Sequence, residues 1–173
     1  MLSEPKIVER REQQYLGIRG SVPMGEIGAF IDGSFPELLA YLEAHGIKTA
    51  GPPFLRYNVI DMEGELEIEV GVPVEAQLFS DQGRILTGVL PAGRYGTLTY
   101  TGEYAGLIDA NEALQQWARD EGLEWAWSET ERGDRFGSRL EVYLTDPNAE
   151  PDPEKWETEV TYLLADESDS VTG

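Results

Sequence analysis

Carboxylates and aromatic rings carry most of the chemistry open to this chain. Its 173 residues hold 33 Asp+Glu against 13 Lys+Arg, one His, no Cys, 4 Trp, 8 Tyr and 5 Phe. Without Cys there is no thiolate nucleophile, no disulfide and no Cys-ligated zinc or iron–sulfur centre. One His cannot build a multi-His metal site, and no GxSxG marks a serine nucleophile. His45 stands before Gly46 at a predicted helix end, where an imidazole meets the last carbonyls. Asp146 to Asp152 is acid-rich but lacks the spacing and glycine of a calcium loop. No glycine loop fits a phosphate. Neither a metal nor a cofactor is expected. What remains are glutamates on strands. Glu67 and Glu69 alternate with Leu66, Ile68 and Val70, and Glu157 and Glu159 stand in a similar run before Val160. A carboxylate taken out of water is disfavoured in its charged form, so its pKa rises. Such a group pairs with a lipophilic cation, or serves as a general acid or base. The same four residues read equally well as outward glutamates on a solvated sheet face.

The elements that must position these groups are readable from spacing. Residues 15–22 predict a strand, ended by Pro23. Met24 to Ile31 has helical spacing. Gly33-Ser34-Phe35-Pro36 predicts a break, with Ser34 capping a new helix that carries Leu38, Leu39 and Leu42 and stops at Gly46. Residues 54–61 and 65–70 predict strands, the second with one packed and one open face. Strands are also predicted over 86–90, 94–101, 140–145 and 157–164. Residues 103–120 predict the most regular helix, with Tyr104, Leu107, Ile108, Leu114, Trp117 and Ala118 on one stripe and Gly122 as its end. The segment ERGDRFG (131–137) predicts a loop between Trp125 and Trp127 on one side and Phe136 on the other, placed to close over a groove or to anchor the chain. Trp156 opens the last strand. Residues 166–173 predict a flexible tail.

The chain also resembles itself. Gly25-Glu26 and Ile31 return as Gly102-Glu103 and Ile108 at an offset of 77, each at the start of a predicted helix. Glu67, Glu69 and Val70 return as Glu157, Glu159 and Val160 at an offset of 90. Each half reads strand, helix, strand, strand. The prediction is one α+β domain over 1–173, a tandem duplication with repeat 1 about 5–78 and repeat 2 about 84–165. Its antiparallel sheet is backed by two main helices, with a ligand groove near a pseudo-twofold axis that the four glutamates approach from both halves.

Composition narrows the partners. The net charge of −20 argues against binding a phosphate backbone and is compatible with cationic ligands or with plain solubility. No apolar run reaches the roughly 18 residues of a membrane span. The N-terminus lacks an apolar signal core, so a cytoplasmic protein is expected.

Gly51-Pro52-Pro53-Phe54-Leu55-Arg56-Tyr57, GELEIEVGVPV (64–74), LPAGRYGTLTYTGEYAGL (90–107) and KWETEV (155–160) together resemble the GyrI-like effector-binding family. That family includes the drug-binding domains of multidrug-responsive MerR-type and AraC-type regulators. The resemblance covers residues about 5–165 and implies the same duplicated fold. It implies a cleft for lipophilic, often cationic aromatic small molecules, with a last-strand glutamate, here Glu159, facing the ligand from among aromatic rings. Glu69 is its first-half counterpart, and Tyr57 and Tyr104 match family tyrosines that stack on ligand or donate protons. Trp127, Phe136 and Trp156 are further candidates to line the cleft. About ten residues precede the first strand, too few for a helix-turn-helix, so direct nucleic-acid binding is not expected. The expected function is a standalone small-molecule-binding protein. The alternative implied by the resemblance is a hydrolase of strained cyclopropane-bearing compounds, with Glu159 acting on water and Tyr57 as proton donor. A third reading is a protein-interaction inhibitor whose acidic surface mimics nucleic acid.

Overall fold

Alternation along the strands sorts the sheet residues onto two faces. Leu66, Ile68, Val70 and Val72 share one face with Leu16, Ile18 and Leu55, and all are buried beneath Leu38 and Leu42 of the first helix. Fully burying each such side chain is worth roughly 1.5–3 kcal/mol. The computed structural model describes residues 1–61, 63–75 and 83–165. Met62 and the predicted tail over 166–173 lie outside the described residues. The described elements are β1 Lys6–Arg10, β2 Gln13–Pro23, α1 Ile27–Ala44, β3 Phe54–Ile60, β4 Glu65–Pro73, β5 Ile85–Leu90, β6 Gly93–Thr101, α2 Leu107–Asp120, β7 Trp127–Thr130, β8 Gly133–Phe136, β9 Arg139–Tyr143 and β10 Glu157–Leu163.

The fold is α+β, a curled antiparallel sheet backed by two helices. The strand order is β1-β6-β10-β9-β3-β4-β2-β5, with the β7–β8 hairpin attached to β3. On the helix face, α1 covers the cluster just described, and α2 covers Leu98, Val160 and Tyr162 with its own Leu107, Ala110 and Leu114. On the helix-free face the sheet curls around Tyr15, Phe54 and Leu140, joined by Leu86, Leu90 and Val142. The curl is tight enough for Arg56 on β3 to reach the carbonyl of Val89 on β5 at 3.2 Å. Gly71 makes room for it, since a Cβ there would fall 2.5 Å from the Phe54 ring.

Several local expectations change in the structure. The first helix is unbroken, with Pro36 inside it and Ser34 buried rather than capping. Pro36 and Asp32, whose carbonyl Pro36 cannot bond, are both exposed. Before α2, Tyr104–Gly106 form a separate 3-10 turn. Ile108 is 69 % exposed, because the buried stripe of α2 runs through Leu107, Ala110, Asn111, Leu114 and Ala118. Segment 131–137 is no loop: β7 and β8 form a hairpin whose second strand pairs with β3 through Val59↔Arg135 and Ile60↔Asp134. The β4 face expected to be open is closed at Glu69, which is 1 % exposed.

Both helices stop as predicted, by one shared device. Gly46 (φ 63) and Gly122 (φ 68) adopt the left-handed conformation. The amides of Ile47 and Leu123 then donate to Leu42 and Ala118, capping the last turns. Strand pairing crosses the predicted repeat boundary. β1, early in the chain, pairs with β6, and β5, assigned to the second half, pairs with β2. Among the described residues no helix is long and apolar enough to cross a membrane.

Candidate functional site

The middle of the sheet is the junction of β3 and β9, and β9 carries the sequence RLEVY. Alternation sends Leu140 and Val142 into the curled core and leaves Arg139, Glu141 and Tyr143 on the helix face. Glu141 lies opposite Leu55 on β3 and Val160 on β10. It is 6 % exposed, between the residues under α1 and those under α2.

A carboxylate so placed needs donors, and it has three side-chain partners. Tyr57 Oη donates to Oε1 at 3.1 Å, with Tyr143 Oη at the long distance of 3.5 Å. Asn111 Nδ2, from α2, donates to Oε2 at 3.1 Å and also to the Leu107 carbonyl at 2.8 Å. Tyr162 donates to Asn111 Oδ1 in turn. Burial pushes the Glu141 pKa up, and the bonds from Asn111 and Tyr57, the Arg139 charge and the Tyr143 hydroxyl oppose it in part. Burial first, and the Glu141 charge second, hold the hydroxyls of Tyr57 and Tyr143 well above the ordinary phenol range.

Rings surround this group. The Arg139 guanidinium stands over Tyr162 at 4.6 Å, Phe136 at 4.8 Å and Tyr57 at 5.6 Å. Tyr143 meets Phe35 of α1 at 6.3 Å and Tyr104 at 5.6 Å, and Tyr104 packs on Trp156 at 4.8 Å. The Trp156 indole is held by the Glu150 carbonyl at 2.8 Å. Tyr104 is exposed, so the chain Tyr104–Tyr143–Glu141 runs from the surface to the buried carboxylate.

Four of the residues singled out in the sequence therefore meet here: Tyr57, Tyr104, Phe136 and Trp156. The glutamates do not. Glu159, expected to face a ligand from among rings, is placed elsewhere. It lies opposite Thr99 and Val142 on the helix-free face, half-buried, with Arg10 Nη2 donating to Oε1 at 2.6 Å. Strand parity is the reason, since Val160 and Tyr162 take the helix face. Glu69 also lies on the helix-free face, bonded by Tyr15 and Asn58, and Trp127 lines a cleft there. Glu67 faces Arg132 at 3.6 Å, and Glu157 is exposed. Sequence reasoning missed Glu141, Arg139, Tyr143, Asn111 and Tyr162. The available signal was Glu141 interrupting the apolar run Leu140-x-Val142, but only strand order reveals 139–143 as central. Among the described residues no group of His, Asp or Glu is placed to hold a metal ion.

The class of fold is thus a curled antiparallel sheet backed by two helices, with a carboxylate buried at its middle and hydrogen-bonded by tyrosines. The chain belongs to the GyrI-like small molecule binding domain family, whose model matches residues 3–163. Its fold is that of the EcmrR C-terminal domain, to which it is 21 % identical, with a TM-score of 0.75 over 94 % of this chain and 97 % of that one. Against EcmrR in its DNA complex (22 % identity, TM-score 0.75) it matches over 93 % of its own length and spans 57 % of the EcmrR chain. The fold is also shared with a hydrolase from Listeria innocua (15 % identity, TM-score 0.61, 94 % and 92 % of the two chains). It is shared as well with SAV2435 bound to tetraphenylphosphonium (13 % identity, TM-score 0.60, 94 % of each chain). No curated protein matches the chain.

Proposed function

We propose that the protein binds lipophilic aromatic cations at Glu141, on the sheet face that the two helices cover. The observation that carries this reading is Arg139. A cation already stands over three rings within reach of a buried carboxylate. A ligand cation would take the place of that guanidinium, stack on the same faces and neutralise Glu141. Tyr104 and Trp156 would form the mouth. The tetraphenylphosphonium named for SAV2435 is a ligand of this class.

The repeat expected from the sequence would put Glu141 beside its axis. Val70 lies opposite Ile18 and Leu55, and Val160 lies opposite Leu98 and Glu141. We read β2-α1-β3-β4 and β6-α2-β9-β10 as tandem copies with the β7–β8 hairpin inserted in the second, their axis passing by the Leu55–Glu141 pair.

A hydrolase reading is kept because Glu141 and Tyr57 are hydrogen-bonded and the fold is shared with a hydrolase. Glu141 would take a proton from the attacking water and Tyr57 would protonate the carbon released on ring opening. The proton would then return from Glu141 to Tyr57 along their bond. The raised Tyr57 pKa works against that donation and suits a fixed hydrogen-bond donor, so binding is favoured. The test is a titration of wild type and Glu141→Gln with tetraphenylphosphonium and a rhodamine, followed by mass analysis after incubation with a cyclopropane-bearing compound. Wild type should bind both cations saturably, and Glu141→Gln should weaken binding about tenfold or more, with all compounds intact. Equal binding by the variant sinks the site, and consumption by wild type alone makes it an enzyme.

A further inference from the structure

The helix face of β10 holds a buried polar atom that the Glu141 network does not use. Strand alternation puts Thr158 on the side of Val160 and Tyr162, which pack under α2. Across the ladder to β9 these three stand opposite Tyr143, Glu141 and Arg139. Thr158 therefore lies one step outward from the carboxylate, toward the Tyr104–Trp156 pair that Tyr143 meets. It is fully buried, and its Oγ1 has no hydrogen-bond partner among the described residues. The hydroxyls beside it are turned elsewhere. Tyr100, opposite on β6, donates to the Glu103 carbonyl, and Tyr143 leans to Glu141 at 3.5 Å.

A buried hydroxyl without a partner has given up water and gained nothing in return. This one is placed where a ligand at Glu141 would meet it. Diagonal neighbours on one face of paired strands sit about 7–8 Å apart, so one small group between Thr158 and Glu141 reaches both. A threonine hydroxyl both donates and accepts. The carboxylate repels a second lone pair there and attracts a positive N–H, so the ligand's part is that of donor.

Resting on the reading that Glu141 takes an aromatic cation, we propose that Thr158 decides which cation. The site prefers a protonated aryl amine, whose ammonium N–H donates to Thr158 Oγ1 while its charge faces Glu141, over a quaternary ammonium or phosphonium ion. A quaternary centre brings charge and rings but no donor, and leaves the hydroxyl orphaned. An ammonium N–H is strongly hydrated, and it enters a buried site favourably only where an acceptor replaces its water.

The test is calorimetric titration of the full chain with N,N-dimethyl-2-naphthylmethylamine, protonated at neutral pH, and with its N-methylated quaternary analogue. The two differ only by a methyl on nitrogen. Wild type should bind the amine about tenfold tighter. Thr158→Val keeps the shape of the side chain and removes the hydroxyl. It should weaken amine binding about tenfold or more and leave the quaternary cation unchanged, while Thr158→Ser should keep the amine preference. The melting temperature of Thr158→Val should not fall, because the hydroxyl makes no bond in the fold. A fall would make the hydroxyl structural and overturn the proposal. Glu141→Gln should weaken both cations alike. Equal binding of the two cations by wild type, or a preference that survives Thr158→Val, overturns the role of Thr158 and leaves the Glu141 reading standing. Failure of both cations to bind, or indifference of both to Glu141→Gln, overturns the Glu141 reading and this one with it.

Discussion

Glu141 is disfavoured as a buried charge, and its surroundings show how that is relieved. Donors from Tyr57 and Asn111 satisfy its two oxygens, and Arg139 supplies charge, yet burial still raises its pKa above the ordinary carboxyl value of 4.5. The folded state therefore holds this proton more tightly than the unfolded chain does. Its contribution favours folding at low pH and is lost as pH rises from about 4.5 through the raised folded-state value. Glu141→Gln should remove that decline, so its stability relative to wild type should improve across this window. Denaturant unfolding at a series of pH values reads the difference, and parallel pH profiles for the two proteins would contradict it. The aromatic half of the site was legible in the sequence, because Tyr57, Tyr104, Phe136 and Trp156 stood out by type and by resemblance. The acidic half was not. Glu159 and Glu141 are both strand glutamates flanked by apolar residues, and only the neighbouring strands tell a solvated ion pair with Arg10 from a carboxylate under two helices.

At the scale of elements, α1 tests how much a local signal can decide. Gly33-Ser34-Phe35-Pro36 reads as a break, yet the helix continues because Phe35, Leu38 and Leu42 pack on the sheet while Pro36 faces water. Tertiary burial outweighs the lost backbone bond. Pro36→Ala should restore that bond and raise the melting temperature, with a gain of up to about 3 kcal/mol from the helix, reduced by roughly 0.4–1 kcal/mol for a freer unfolded chain. Thermal unfolding of the variant measures the balance, and a lowered melting temperature would mean that the proline conformation is itself required. Helix ends were more legible than helix continuity. Gly46 and Gly122 stop their helices through a conformation only glycine adopts easily, which is a property of the residue rather than of its neighbours. The β7–β8 hairpin was not legible, since its second strand is held by β3, some seventy residues earlier in the chain.

Across the whole molecule, the edge strands tie the two ends of the sheet to distant parts of the chain. β1 covers β6 and β5 covers β2, and Arg10 of β1 also bonds Glu159. Removing residues 1–11 should expose the β6 edge and free the Glu159 carboxylate. The truncated chain should melt at lower temperature and self-associate, because an unpaired edge is a template for pairing. Size-exclusion chromatography and thermal unfolding check this, and an unchanged elution volume with unchanged stability would contradict it. The sequence by itself determined the element types outside β1 and the β7–β8 hairpin, the α+β class, both helix ends and the internal echo of Glu67–Val70 in Glu157–Val160. Those follow from periodicity, turn chemistry and self-similarity, all properties of residues close together in the chain. Tertiary structure alone decided that β9 is central and that Glu141 rather than Glu159 meets the rings. These depend on which strands become neighbours. Neighbourhood is set by the burial of faces summed over the entire sheet, a quantity that no local stretch of sequence contains.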